Sequence, residues 1–147
     1  MSRIYWDTML FVYLLENNPE YAPRVQRLYG RMIGRHDRLV TSTFTVAELL
    51  VAPCTTGDKP LAEAIREFLY GPDVDLIPFE RQAAEAYAEV RAKTGVRPAD
   101  AIHLACAAGA NTDIFVTNDR SLHGMTAPGI QFIATIEVAE SLLGPLT

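Results

Sequence analysis

Five short runs of β-branched and aromatic residues, each separated from the next by longer segments with helical spacing, constrain this chain more than any other feature. The runs are Ile4-Tyr5-Trp6, Leu39-Val40-Thr41-Ser42, Val74-Asp75-Leu76-Ile77, Ile114-Phe115-Val116-Thr117 and Ile130-Gln131-Phe132-Ile133. Strands alternating with helices predict an α/β fold with a mostly parallel sheet, covered by helices on both faces and joined by right-handed crossovers. At 147 residues, a single domain over 1–147 is expected. A chain of that length buries a sizeable core without disulfides or a structural metal.

The segments between the runs carry helix signals. Leu10, Tyr13 and Leu14 share one face before Asn17-Asn18-Pro19 breaks the pattern. Pro23 suits a first helical position, and Val25, Leu28, Tyr29 and Met32 line the face that follows, with Gly34 weakening its end. Thr43 to Val51 predicts a helix that Pro53 stops, with a loop over Thr55 to Pro60. Leu61–Tyr70, Glu80–Lys93, Pro98–Ala108 and Ile136–Leu143 complete the helices, the Pro98–Ala108 segment being the most apolar. Asn118-Asp119 reads as a turn.

Thirteen basic against 18 acidic side chains give a net charge of −5, which excludes a highly basic nucleic-acid binder but leaves room for a local basic patch. Two cysteines are too few for a disulfide scaffold, so reduced thiols are expected, with Cys106 a small buried hydrophobe. The apolar stretch from Met9 to Leu15 is far shorter than the roughly 20 residues of a membrane helix. No secretion signal or membrane association is expected, and the cytoplasm is the expected compartment.

Two acids sit where an open α/β sheet places its chemistry: Asp7 follows the first run and Asp119 the fourth. Glu48, in Thr45-Val46-Ala47-Glu48-Leu49, and Asp100, in Pro98-Ala99-Asp100-Ala101-Ile102, lie in or beside apolar helical segments. Each has a structural reading as well. Thr45 and Glu48 have the spacing of a capping box, Asp100 complements a helix dipole, and Asp7 and Asp119 suit caps or turns. If the four carboxylates cluster, they raise one another's pKa unless a cation offsets them. Oxygen donors suit Mg²⁺, with Mn²⁺ able to use the same set, and the chemistry that follows is metal-assisted phosphodiester hydrolysis.

These pieces, Ile4-Tyr5-Trp6-Asp7-Thr8, Thr45-Val46-Ala47-Glu48-Leu49, Pro98-Ala99-Asp100-Ala101-Ile102-His103-Leu104-Ala105 and Val116-Thr117-Asn118-Asp119, occur in an order and spacing that resemble PIN-domain ribonucleases. The resemblance is specifically to the VapC-type toxins of bacterial toxin–antitoxin pairs, and it spans nearly the whole chain. It implies a PIN-like three-layer sandwich with strand order 3-2-1-4-5, and an acidic Mg²⁺ site of Asp7, Glu48, Asp100 and Asp119. It also implies endonucleolytic cleavage of RNA, homodimerisation, and neutralisation by a cognate antitoxin whose C-terminal segment covers the site. The chain departs from many relatives at Met9, where a small polar residue is common, at Ser121, where a further acid is common, and at Leu122, where an aromatic often follows. Those departures leave a second reading open, a PIN-like RNA- or protein-binding module with weak or absent turnover.

Within the site, Asp7 and Asp119 are expected to hold the principal metal, Asp100 to complete its shell or orient its waters, and Glu48 to bind through water or act as general base. Thr8 and Thr117 are candidate hydrogen-bond donors to these carboxylates, Thr117 equally an ordinary strand residue. His103, one turn after Asp100, reads as a core or surface imidazole more readily than as a ligand. Arg24, Arg27, Arg31 and Arg35 recur at helical spacing as a candidate phosphate-tracking stripe, or as a solvated face paired with acids. Arg120 is a candidate phosphate contact by its position beside Asp119. Met9–Leu15 is apolar nearly all round, which fits burial in the core, between subunits or under an antitoxin segment.

Overall fold

Successive side chains of a strand point to opposite faces, so a strand buried on both sides must be apolar throughout. In the computed structural model, which describes residues 1–144, five strands form the sheet: β1 (Arg3–Trp6), β2 (Arg38–Ser42), β3 (Val74–Ile77), β4 (Thr112–Val116) and β5 (Ile130–Ala134). Strands β1, β2 and β4 are buried along nearly their whole length, the edge strands β3 and β5 only in part. All neighbours are parallel, in the order β3-β2-β1-β4-β5, with Tyr5 in register with Val40 on one side and Phe115 on the other. Residues 145–147 of the expected domain lie outside the described chain.

Seven helices connect and flank the strands: α1 (Thr8–Leu15), α2 (Ala22–Arg35), α3 (Thr43–Thr56), α4 (Lys59–Leu69), α5 (Arg81–Lys93), α6 (Pro98–Gly109) and α7 (Ile136–Leu143). Ile4, Trp6, Leu39, Ile114 and Val116 point to one face and pack against α1, α2, α3, α4 and α7. Tyr5, Val40 and Phe115 point to the other and pack against α5 and α6, with the Tyr5 and Phe115 rings stacked at 5.0 Å. Cys106 is buried in this second layer, where burial pushes its thiol up to about 11, and Cys54 is exposed. Among the described residues no helix is long and apolar enough to cross a membrane.

Three local expectations are corrected. Pro53 does not stop α3, which runs on to Thr56. Proline costs the helix one bond, the one its N–H would make to the Leu49 carbonyl, and the helix carries on past that loss until left-handed Gly57 ends it. The Thr55 and Thr56 hydroxyls bond back to the carbonyls of Val51 and Ala52 in this last turn. The loop expected over Thr55 to Pro60 is thereby reduced to Gly57 and Asp58, the latter capping α4. The Thr45–Glu48 capping box is absent as well. Ser42 caps α3, accepting from the Thr45 backbone N–H, and this turns Glu48 away from the helix end.

At the amino ends of the strands, far from the acids, Asp75 of β3 accepts from Arg3 at 2.8 Å and from Arg38 at 2.5 Å. Arg3 also donates its backbone N–H to Asp113. This network fixes the register of four strands and leaves their carboxyl ends for chemistry.

Candidate active site

The switch point of the sheet lies between β1 and β4, where connections leave in opposite directions and a crevice opens at the carboxyl ends. Asp7 stands there, directly after β1, and is only 8% exposed. Its Oδ1 accepts from the Met9 backbone N–H at 3.1 Å, capping α1, and its Oδ2 accepts from the Thr117 hydroxyl at 2.5 Å. The capping role and a place in the crevice therefore coexist, one on each oxygen. Burial pushes the Asp7 carboxyl up to about 6, against the opposing hydrogen bond from Thr117. Thr117 lies just past β4 and is fully buried, and its hydroxyl also accepts from the Asp119 backbone N–H at 3.0 Å. One threonine thus ties Asp7 and Asp119 together.

Asp119 caps a 3-10 turn over Arg120–Leu122 that replaces the simple turn expected from the sequence. Its Oδ1 accepts from both the backbone N–H and the hydroxyl of Ser121, and the hydroxyl is the main cause holding its carboxyl below the usual range. The departure at Ser121 thus replaces a further acid with a donor to the existing one. Leu122 is buried against α5 and α6. Met9 is half exposed and contributes only its backbone.

Asp100 enters from the first turn of α6. Burial and the neighbouring Asp119 raise its pKa. The Arg97 guanidinium, 77% exposed, lies against both acids, with Nε 3.3 Å from Asp100 Oδ2 and Nη2 3.0 Å from Asp119 Oδ2.

Glu48 approaches from α3. Its Oε1 accepts from the Thr8 hydroxyl at 2.5 Å and lies 2.9 Å from His103 Nε2. The contact with His103 is the main cause lowering the Glu48 pKa. His103 is 4% exposed, and its Nδ1 lies 2.7 Å from the Tyr5 hydroxyl. Sequence reasoning set this histidine aside because its partners are far away along the chain. The one available signal was its position one turn beyond Asp100.

The arginine stripe of α2 is paired with groups of the fold. Arg24 pairs with Glu137, Arg27 with Glu140, and Arg31 donates to the carbonyls of Glu140 and Gly144. Arg35 pairs with Asp37 and donates to the Leu143 carbonyl. These contacts join α2 to the C-terminal helix. Arg120 is exposed beside Asp119. A groove of about 740 Å³ adjoins the acids, lined by Lys93, Thr94, Arg97, Asp119, Ser121 and Met125.

Asp7, Asp100 and Asp119 offer hard oxygen donors, a set that suits Mg²⁺ or Mn²⁺ with water completing the shell. Among the described residues no three His, Cys, Asp or Glu side chains stand close enough to form a ready cation cage. The donor chemistry fits such an ion, which would take most of its ligands from water, and Arg97, now against both Asp100 and Asp119, would have to move to admit it.

The sequence matches a family model, the PIN domain, over residues 4–127. The chain belongs to the PIN domain family. Its fold is shared with a chain of the VapBC2 complex from Rickettsia felis bound to a DNA fragment from their promoter, at 16% identity and a TM-score of 0.67, covering 90% of this chain and 98% of that one. DNA-bound VapBC from Salmonella typhimurium matches at 22% identity and a TM-score of 0.64, covering 92% and 99%. VapBC-5 from Mycobacterium tuberculosis, described as a member of the VapBC family of toxin–antitoxin systems, matches at 24% and 0.58, covering 90% and 98%. No curated protein matches the chain.

Proposed function

We propose that this PIN domain is a VapC-type toxin, a Mg²⁺- or Mn²⁺-dependent endoribonuclease neutralised by a cognate antitoxin. The observation that carries the reading is the linkage of acids distant in sequence at one sheet edge. Thr117 joins Asp7 to Asp119, Arg97 joins Asp119 to Asp100, and Thr8, next to Asp7, joins Glu48. The family match and the toxin–antitoxin descriptions of structural neighbours support it.

Asp7, Asp100 and Asp119 would hold the cation, which supplies charge to the phosphoryl oxygen and a water of lowered pKa. Asp7 must be ionised to do so, and the Thr117 hydroxyl favours that form. Glu48, kept ionised by its donors, accepts a proton from the attacking water. Arg120 and Lys93 lie where flanking phosphates of RNA would run. The arginines of α2 are assigned to the fold rather than to RNA.

Antitoxin binding has a second support. An apolar cavity of about 280 Å³ opens between α1, α2 and α4, lined by Trp6, Phe11, Leu14, Leu15, Tyr29 and Phe68. Of the apolar Met9–Leu15 segment, Leu10 and Phe11 enter the core while Leu15 stays largely exposed at this cavity. Exposed Ile33 on α2 with Val138 and Leu142 on α7 form the surface assigned to a second copy in a homodimer.

The test is cleavage of total cellular RNA in Mg²⁺ by the wild type, D7N and D119N. Either substitution is expected to lower cleavage by roughly 100-fold or more. Undiminished cleavage by D7N would remove the enzyme assignment. Tight antitoxin binding with no RNA cut by the wild type, in Mg²⁺ or Mn²⁺, would establish the binding module instead.

A further inference from the structure

We infer that His103 is a positioning residue for Glu48, held by Tyr5 from beneath, so that a buried relay from the core of the sheet sets the direction of the carboxylate at the site. The inference rests on the reading of Glu48 as part of the catalytic edge. Four side chains from four elements make the relay: Tyr5 on β1, Thr8 at the start of α1, Glu48 on α3 and His103 on α6.

The contacts have a direction. The Tyr5 hydroxyl is fully buried, and a phenol carries its proton at neutral pH, so it is available as a donor. A ring proton on Nε2 and a lone pair on Nδ1 fit the contacts: Tyr5 O–H donates to Nδ1 across 2.7 Å, and Nε2–H points at Glu48 Oε1, 2.9 Å away, with Thr8 Oγ1 3.1 Å from the same nitrogen. Thr8 donates to the same Glu48 oxygen. With both donors on Oε1, Oε2 carries no hydrogen bond from the relay.

The imidazole has little freedom to do anything else. Phe44 lies against it at 5.2 Å between ring centroids, and the Tyr5 ring meets it edge-on at 5.8 Å. A ring clamped between aromatic walls is a rigid donor, whereas a water in its place would leave Glu48 free to rotate. Outer partners of this kind fix a carboxylate or imidazole whose own side chain is flexible. The layer beneath it is largely apolar, with Ser42 and Thr45 the buried polar side chains beside the Tyr5 hydroxyl, so an apolar residue in place of His103 would pack as well. A polar side chain brings a burial cost that its hydrogen bonds must offset.

The two amide substitutions separate the two ends of the relay. In H103N the amide reaches about as far as Nδ1, keeping a partner for Tyr5 and losing Glu48. In H103Q the amide reaches about as far as Nε2, keeping an N–H donor for Glu48. The experiment measures kcat, KM and melting temperature on RNA for the wild type, H103N, H103Q, E48Q and H103N/E48Q. H103N is expected to lose about 10- to 100-fold in kcat with KM little changed. H103Q is expected to recover most of that loss, and the double variant to be no slower than E48Q. A readout without turnover follows the imidazole Nε2–H proton by NMR in the metal-free protein. It is expected to exchange slowly in the wild type and fast in E48Q.

Several results would overturn the inference while leaving the Glu48 reading intact: H103N at wild-type kcat while E48Q is impaired, equal losses in H103N and H103Q, additive losses in the double variant, or a fast-exchanging Nε2–H in the wild type. E48Q cleaving like the wild type would instead show that Glu48 itself has no catalytic part, and the relay would fall with it. If H103N does not fold, H103Q and the exchange measurement still decide.

Discussion

The Thr117 hydroxyl donates to Asp7 Oδ2 at 2.5 Å, across 110 residues of sequence. It is the strongest influence favouring the ionised form of a carboxyl that burial otherwise pushes up to about 6. Thr117→Val keeps the shape and removes the donor. Asp7 then titrates still higher, and Mn²⁺ binding is expected to shift to higher pH by about one unit. Mn²⁺ titrations at several pH values check this. An unchanged profile would mean that Asp7 does not take part in binding the ion.

The same burial makes Asp7 a cost to the metal-free fold. Its folded pKa exceeds its unfolded value of 3.8, so between about pH 4 and 6 the folded chain holds a proton that the unfolded chain releases. Stability therefore falls as pH rises through that window, and the loss, of order 3 kcal/mol at most, is complete above about pH 7. Asp7→Asn removes the charge but forfeits one acceptor. A net gain of about 1–2 kcal/mol is expected at pH 8, shrinking towards zero near pH 4. Calorimetry in a chelator measures it. An equal loss of stability at both pH values would make the α1 cap the dominant role of Asp7.

Periodicity made the layers legible. All five strands and α7 lie where apolar alternation and spacing put them, because a sheet buried on both faces leaves little choice of residue. The acids were legible for a different reason, as charges where the local pattern asks for apolar side chains. Contacts made through the fold left no such mark. Arg24 and Glu137 are 113 residues apart, so a helix face bound for α7 looks the same in sequence as one bound for phosphate. His103 was obscured likewise, its partners Tyr5 and Glu48 lying 98 and 55 residues away. Pro53 misled because a breaker is read from its own missing donor, while one lost bond is too little to end a helix whose stop is set by left-handed Gly57.

The α2–α7 seam gives a separate prediction about stability. Arg31 is half-buried and donates to two carbonyls near the end of α7, those of Glu140 and Gly144. Arg31→Ala leaves both without that partner and is expected to cost about 1–3 kcal/mol. Arg24→Ala and Arg27→Ala break exposed ion pairs and are expected to cost under about 1 kcal/mol each. Urea unfolding measures all three, and RNA affinity is expected to stay level throughout. A fall in RNA affinity without a fall in stability would return the stripe to the substrate.

Arg97 supplies the charge that now offsets Asp100 and Asp119. It is too exposed to matter much to the fold, so Arg97→Gln is expected to leave the melting temperature nearly unchanged. The two carboxylates then face each other without a counter-charge, and a divalent ion has no resident cation to displace. Mn²⁺ affinity is expected to rise several-fold, the increase being largest at low salt, where screening is weakest. Isothermal titration at two salt concentrations checks both parts. Weaker binding in the variant would show that Arg97 organises the acids for the ion rather than competing with it.

The apolar cavity between α1, α2 and α4 separates partner binding from catalysis. Leu15, 43% exposed, lies at its edge and contributes little to the core. Leu15→Asp places a charge where an apolar antitoxin segment would seat, at no burial cost to the free protein. If the proposed reading holds, affinity for a cognate antitoxin is expected to drop at least about tenfold, which corresponds to roughly 1.4 kcal/mol. RNA cleavage by the isolated variant should match the wild type, because Leu15 stands at the opposite end of α1 from Asp7. Cells carrying both proteins would then lose protection while the nuclease activity of the variant, on the proposed reading, is unaltered. Undiminished antitoxin affinity would place the partner on another face.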